Sequence, residues 1–155
     1  SDHRPRRHPV RGRAGAGSSP SGALAHARLG WAVSRHLVLG GQWAGWFRSE
    51  EDPGSLARWN LGAMALVRAG GRFAPQASLG VGYTRFDEEP LILDGPRTLV
   101  ERDGIGLSAS AGVDIPLTGR LRLVPEVQLL VHRHADRVGT TTLVSRGLTL
   151  GLAWH

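Results

Sequence analysis

Two histidines and an aspartate near the end of the chain have the residue types of a catalytic or metal site. His132, His134 and Asp136 are each separated by one residue, and Ser145 follows further along. A histidine can activate a serine hydroxyl while a carboxylate orients the histidine. The two histidines could also chelate a metal, although two ligands alone seldom define a site. We interpret 133–140 as a solvated polar loop, and the sequence predicts no catalytic, metal or cofactor site.

Charged and amide side chains recur on the polar side of several other segments. If these segments enclose an interior, the polar groups either line a conducting path or form an ion-pair network that closes it. Glu126 is the one acid placed securely in the middle of a segment, so arginines are in excess, which would favour anions in a wet interior. The predicted polar network of the lumen consists of Arg28, Arg58, Arg122, Glu126 and Gln128.

The elements that carry these residues alternate apolar residues with small or polar ones. In 73–86, Leu79 and Tyr83 share one face, and Gln76 and Ser78 share the other. This period of two predicts β-strands. They are longer than the usual five or six residues and long enough to cross a bilayer at a tilt. Strands are predicted at 22–33, 37–47, 56–68, 73–86, 100–115, 120–132 and 146–155.

The composition excludes several classes of protein. The 155 residues suggest one domain, and cysteine is absent, which excludes disulfide scaffolds and cysteine-based zinc sites. The net charge is +6, but arginines crowd the first thirteen residues. We therefore interpret the charge as belonging to a basic terminal segment and expect no nucleic-acid partner.

The connections between the predicted strands alternate short and long, which indicates an up-and-down antiparallel barrel with one loop-rich end. In a soluble barrel of the lipocalin type the apolar face would point inward, whereas in a membrane barrel it faces lipid. The small and charged residues of the polar face favour the membrane barrel, since they suit a narrow lumen. So do the aromatic residues, which fall near the two ends in two girdles, as in membrane barrels. These residues are Trp31, Phe73 and Trp154 at the short-turn end and Phe47, Trp59 and Tyr83 at the long-loop end.

Seven strands are recognised, whereas bacterial single-chain barrels have an even number. The segment 1–21 is rich in Arg, Gly, Ser and Pro and is predicted to be disordered, with the barrel at 22–155. We expect the chain to lack the export signal and the first of eight strands, which would precede the strand 22–33. The alternative is that 9–17 pairs as a poor strand.

The residues 22–155 resemble the small outer-membrane β-barrels of Gram-negative bacteria, the OmpA-like transmembrane barrel class. The last segment, RGLTLGLAWH, is similar to the carboxy-terminal assembly signal of these proteins, except that His155 follows the aromatic Trp154. The resemblance implies a porin-like protein of the bacterial outer membrane. Its expected partners are the lipid bilayer and lipopolysaccharide, and it is expected to be a monomer.

The sequence leaves three functions open. The leading expectation is a non-enzymatic membrane barrel with a structural or surface-interaction role. The second is a small anion-permeable pore, and the third is a soluble lipocalin-like ligand-binding barrel.

Overall fold

The computed structural model describes residues 10–19, 22–48, 56–88, 100–136 and 139–154. In these ranges there is no helix long and apolar enough to cross a membrane. The regular elements are eight β-strands: β1 Val10–Ser19, β2 Gly22–Ala32, β3 Leu37–Arg48, β4 Leu56–Arg68, β5 Ala74–Glu88, β6 Val100–Thr118, β7 Leu121–Asp136 and β8 Gly139–Trp154.

The eight strands form one closed antiparallel barrel in which each strand pairs with its neighbours in sequence. Closure is made by β1, which pairs with β2 on one side and β8 on the other. Val10 lies opposite Trp31 on β2, and Gly12 lies opposite Trp154 on β8. The predicted all-β, up-and-down barrel is therefore confirmed.

The prediction that the first strand is missing was wrong. β1 lies between β2 and β8, where the missing strand was expected, and it is made from residues that the composition assigned to a disordered segment. Arg13 is buried in the lumen, where it meets two carboxylates, and Ala14 is exposed on the outer wall. Barrel closure thus stabilises a strand that local composition disfavours. The remainder of the predicted disordered segment, 1–9 and 20–21, lies outside the described residues.

The second half of the barrel is taller than the first. β1 to β3 have 10 to 12 residues, whereas β6 to β8 have 16 to 19. The prediction of a polar loop at 133–140 was wrong. In the structure, β7 and β8 continue to pair as far as Asp136 and Gly139. The long connections 49–55 and 89–99 lie outside the described residues.

The apolar face of the strands points outward and the polar face points inward. Leu79 is 69% exposed and Ile105 is 66% exposed, whereas Asp114 and Glu126 are buried. Two small apolar clusters fill the ends of the lumen, one around Trp46 and one around Met64. This orientation contradicts the soluble lipocalin-like alternative, which requires an apolar interior.

Replacing Ala14 with proline tests the place of β1 in the closed sheet. A proline inside a strand that is paired on both sides removes a ladder hydrogen bond, and for this reason proline is confined to edge strands, strand ends and bulges. We expect Ala14→Pro to abolish the mobility difference between heated and unheated refolded protein in electrophoresis. Arg35→Pro, in the exposed turn between β2 and β3, is the control and should retain it. Retention by Ala14→Pro would show that β1 does not close the sheet.

Candidate functional site: the polar interior

Glu126, on β7, is the centre of the polar interior. Its Oε2 accepts hydrogen bonds from Arg28 Nη1 at 2.9 Å and from Arg13 Nη1 at 3.4 Å, and its Oε1 accepts one from Gln128 Nε2 at 2.7 Å. The side chain of His26 also approaches, with Nε2 at 3.3 Å from Oε1. Hydrogen bonds to a charged group are stronger than those between neutral groups. One carboxylate therefore meets four other side chains, which come from β1, β2 and its own strand β7.

Asp114, on β6, is a second buried acid. Its Oδ1 accepts a hydrogen bond from Arg13 Nη2 at 3.2 Å, and its Oδ2 accepts one from Arg68 Nη1 at 3.2 Å. Arg13 Nη2 also donates to Gln76 Oε1 at 2.6 Å. Arg13 thus bridges the two acids, and it links β1 to β5, β6 and β7.

Hydroxyl groups extend the network around Glu126. Ser110 Oγ donates to Glu126 Oε2 at 3.3 Å and lies 2.8 Å from Ser78 Oγ, and Thr149 Oγ1 donates to Glu126 Oε1 at 3.4 Å. With these contacts, side chains from every strand except β3 belong to one connected network. On β3, Gln42 donates separately to Ser108 of β6. The lumen is therefore crossed by hydrogen bonds at mid-height.

The structure divides the five residues of the predicted lumen network. Arg28, Glu126 and Gln128 belong to the network around Glu126. Arg58 lies nearer the loop end, where its guanidinium stacks 4.6 Å from the ring centroid of Trp46. Arg122 is half-buried near the short-turn end.

Asp114, Arg13 and Arg68 were not among the residues predicted from the sequence. Asp114 had a signal, since it continues the alternation that places Ser110 and Gly112 on the inward face. Arg13 had none, because its segment has the composition of a disordered terminus.

His132 and His134 both lie in the lumen, although His134 was predicted on a loop. They are buried, and their rings stack with centroids 6.3 Å apart. Among the described residues, none of their ring nitrogens makes a hydrogen bond, and Ser145 accepts one from Arg58 Nη1 at 3.3 Å instead. The side chain of Asp136 lies outside the described residues. The geometry of a serine–histidine pair is thus not present in the part of the lumen that the structure describes.

The described residues also contain no group of three or more histidine or carboxylate side chains that could hold a metal ion.

The six aromatic residues of the predicted girdles lie on the outer wall. Trp59 is half-buried and packs on Tyr83, with ring centroids 5.8 Å apart, and the other five are exposed. The register places Trp31 and Trp154 beside the first residues of β1, near the short-turn end.

No protein-family model matches this sequence, and no curated protein matches it either. Solved structures do have a similar fold. Neisserial surface protein A is 14% identical, with a TM-score of 0.68 over 94% of this chain and 93% of that one. A major outer membrane protein of Thermus thermophilus is 13% identical, with a TM-score of 0.64 over 95% and 99%.

The N-terminal β-barrel domain of OprF from Pseudomonas aeruginosa is 14% identical, with a TM-score of 0.54 over 94% of this chain and 96% of that one. At these identities the likeness shows the fold alone. In this chain that fold is a small closed barrel of eight strands.

Glu126→Gln tests whether the carboxylate holds the network together. The substitution removes the negative charge that pairs with the buried guanidinium groups of Arg13 and Arg28. Breaking a buried ion pair in this way costs about 3–5 kcal/mol. We expect the free energy of unfolding in urea, measured on refolded protein, to fall by that amount.

The matched control is Asp103→Asn, since Asp103 is an exposed acid on the outer face of β6. It should change the free energy of unfolding by less than about 0.5 kcal/mol. Equal effects of the two substitutions would contradict a special role for Glu126.

Proposed function

We propose that the protein is an integral barrel of the bacterial outer membrane with a structural or surface-interaction role. The observation that carries this proposal is the outward-facing apolar wall: 23 large apolar side chains of the described residues are exposed. Soluble monomers rarely expose contiguous apolar patches beyond a few hundred Å². In a bilayer the same wall is in contact with lipid chains, and closure pairs the backbone groups that lipid cannot satisfy.

Strand length and aromatic placement support the same orientation in a membrane. A tilted strand needs about 9–11 residues to span the hydrocarbon layer, and every strand has at least 10. The six aromatic residues of the outer wall lie near the two ends of the apolar wall, as expected for side chains that prefer the membrane interface. β6 to β8 are longer than a membrane span requires, so they extend the barrel beyond the apolar wall at the loop end.

The loop-end extension is the part best placed for surface contacts. Arg133 and Arg146 are exposed on the outer face of β7 and β8. Arg133 lies opposite Thr142 toward the loop end, and Arg146 lies opposite Leu129 within the apolar wall. Cationic side chains at this level can contact the phosphate groups of lipopolysaccharide, since arginine matches phosphate geometry well. A closed barrel offers no unpaired strand edge to a second copy, which supports a monomer.

The interior bears on the alternative of an anion-permeable pore in two opposite ways. The excess of arginine in the lumen supports it, whereas the hydrogen-bonded network that crosses the lumen opposes an open path. The structural and surface role is therefore the function that we propose.

Tryptophan quenching by brominated lipid tests the orientation of the two faces. Trp31 is 56% exposed on the outer wall and Trp46 is 2% exposed in the lumen. In two variants that each retain one of these tryptophans, with the others replaced by phenylalanine, brominated acyl chains should quench Trp31 strongly and Trp46 weakly. Equal quenching, or recovery of the protein in the aqueous phase without detergent, would contradict the membrane barrel.

Reversing the charge of the two outer arginines tests the contact with lipopolysaccharide. An arginine near an anionic membrane surface contributes about 1 kcal/mol. We expect added lipopolysaccharide to raise the unfolding temperature of the micelle-refolded protein, and the double substitution Arg133→Glu and Arg146→Glu to remove most of that rise.

Arg120→Glu, in the exposed turn at the opposite end, is the control for this experiment and should leave the rise intact. If the double variant responds to lipopolysaccharide as the unsubstituted protein does, these arginines do not contact it.

A further inference from the structure

The short-turn half of the lumen contains a small cavity with a strongly cationic lining. Its volume is about 30 Å³, and Arg11, Arg13, Arg28, Arg68, Gln76 and Asp114 form its polar side. A cavity of this size has room for one or two waters or one small ion. It lies on the short-turn side of the network around Glu126.

Among the described residues, the charges around the cavity do not balance. Four guanidinium groups line it, and two carboxylates, those of Asp114 and Glu126, are hydrogen-bonded to these groups. Within this part of the chain the excess is two positive charges, and Arg13 and Arg28 are buried. Uncompensated charge is costly in such surroundings, so an additional negative charge there is favourable. A metal cation is disfavoured for the same reason.

A buried amide donor at the cavity has no acceptor. Gln76 is 7% exposed, and its Oε1 is held by Arg13 Nη2 at 2.6 Å. Because a guanidinium can only donate, the oxygen of the amide must face Arg13, and the nitrogen must face elsewhere. Among the described residues, Gln76 Nε2 has no hydrogen-bond partner. Buried donors of this kind indicate an unseen water or ion.

The rest of the lining limits the type of ligand. Val38, Met64 and Leu66 also line the cavity, and their side chains offer no hydrogen bonds. A tetrahedral oxyanion needs donors on several sides and more space, whereas a spherical anion is satisfied by donors on one side. We infer that the cavity binds a small monovalent anion of the halide type, with chloride as the natural occupant. The anion compensates the arginine excess and accepts a hydrogen bond from Gln76 Nε2.

The test uses the full chain, refolded in zwitterionic detergent micelles, at constant ionic strength. Chloride is exchanged stepwise for gluconate, which is too large for the cavity. The unfolding temperature is expected to rise with chloride concentration and to saturate. A temperature that does not depend on chloride, or that responds equally to phosphate, would overturn the halide site.

Two substitutions connect the effect to the cavity. Gln76→Glu places a fixed carboxylate beside the arginines, so it should raise the unfolding temperature in gluconate and remove the dependence on chloride. Arg11→Gln removes one of the lining charges and should raise the dissociation constant for chloride by about tenfold, which corresponds to about 1.4 kcal/mol. Arg35→Gln, in the exposed turn between β2 and β3, is the matched control and should keep the chloride dependence. If Arg35→Gln loses this dependence as fully as Gln76→Glu does, the anion effect is not located in the cavity.

A direct measurement on the unsubstituted protein keeps the inference falsifiable even if a variant fails to fold. Crystals soaked in bromide should give an anomalous scattering peak between Arg13, Arg68 and Gln76. Ordered water without anomalous signal at that position would show that the cavity is hydrated and holds no anion.

Discussion

The closure of eight strands into one narrow barrel is the constraint on which the other features depend. Closure leaves no free sheet edge, but the interior of such a small barrel is only wide enough for its own side chains. At Gly62, on β4, an added Cβ would lie 2.4 Å from the Cα of Gly82 on β5, so neither inward position has room for a side chain. Glycines at such positions make room for the long side chains that cross the lumen.

Electrostatics and closure are coupled through Arg13. Its strand, β1, joins the two ends of the sheet, and its guanidinium joins Glu126 and Asp114. Before β1 is in place these carboxylates lack one of their cations, and Arg13 has no buried acid to pair with. The last edge of the sheet and the centre of the lumen are therefore completed by the same strand.

Most of the fold could be predicted from the sequence, because the alternation of side chains along a strand is a local property. The same alternation placed Arg28, Glu126 and Gln128 inside, and it would also have placed Asp114 there. It did not predict β1, since arginine- and glycine-rich segments are typical of disordered termini and the compensating acids come from β6 and β7. The sequence also did not predict that β7 and β8 extend past residue 133. The polar residues of this extension form strands only because the two strands pair with each other.

The sequence alone determined which residues share a face, that the faces differ in polarity, and that the strands are long enough to span a bilayer. The tertiary structure decided which polar residues meet. Arg13 and Glu126 are separated by 113 positions in the chain and are brought within 3.4 Å by the closure and register of the barrel. It also placed in the lumen His134, which was expected on a loop. The physical reason is that alternation depends on each residue and its immediate neighbours, whereas contacts across the lumen depend on every strand between the two partners.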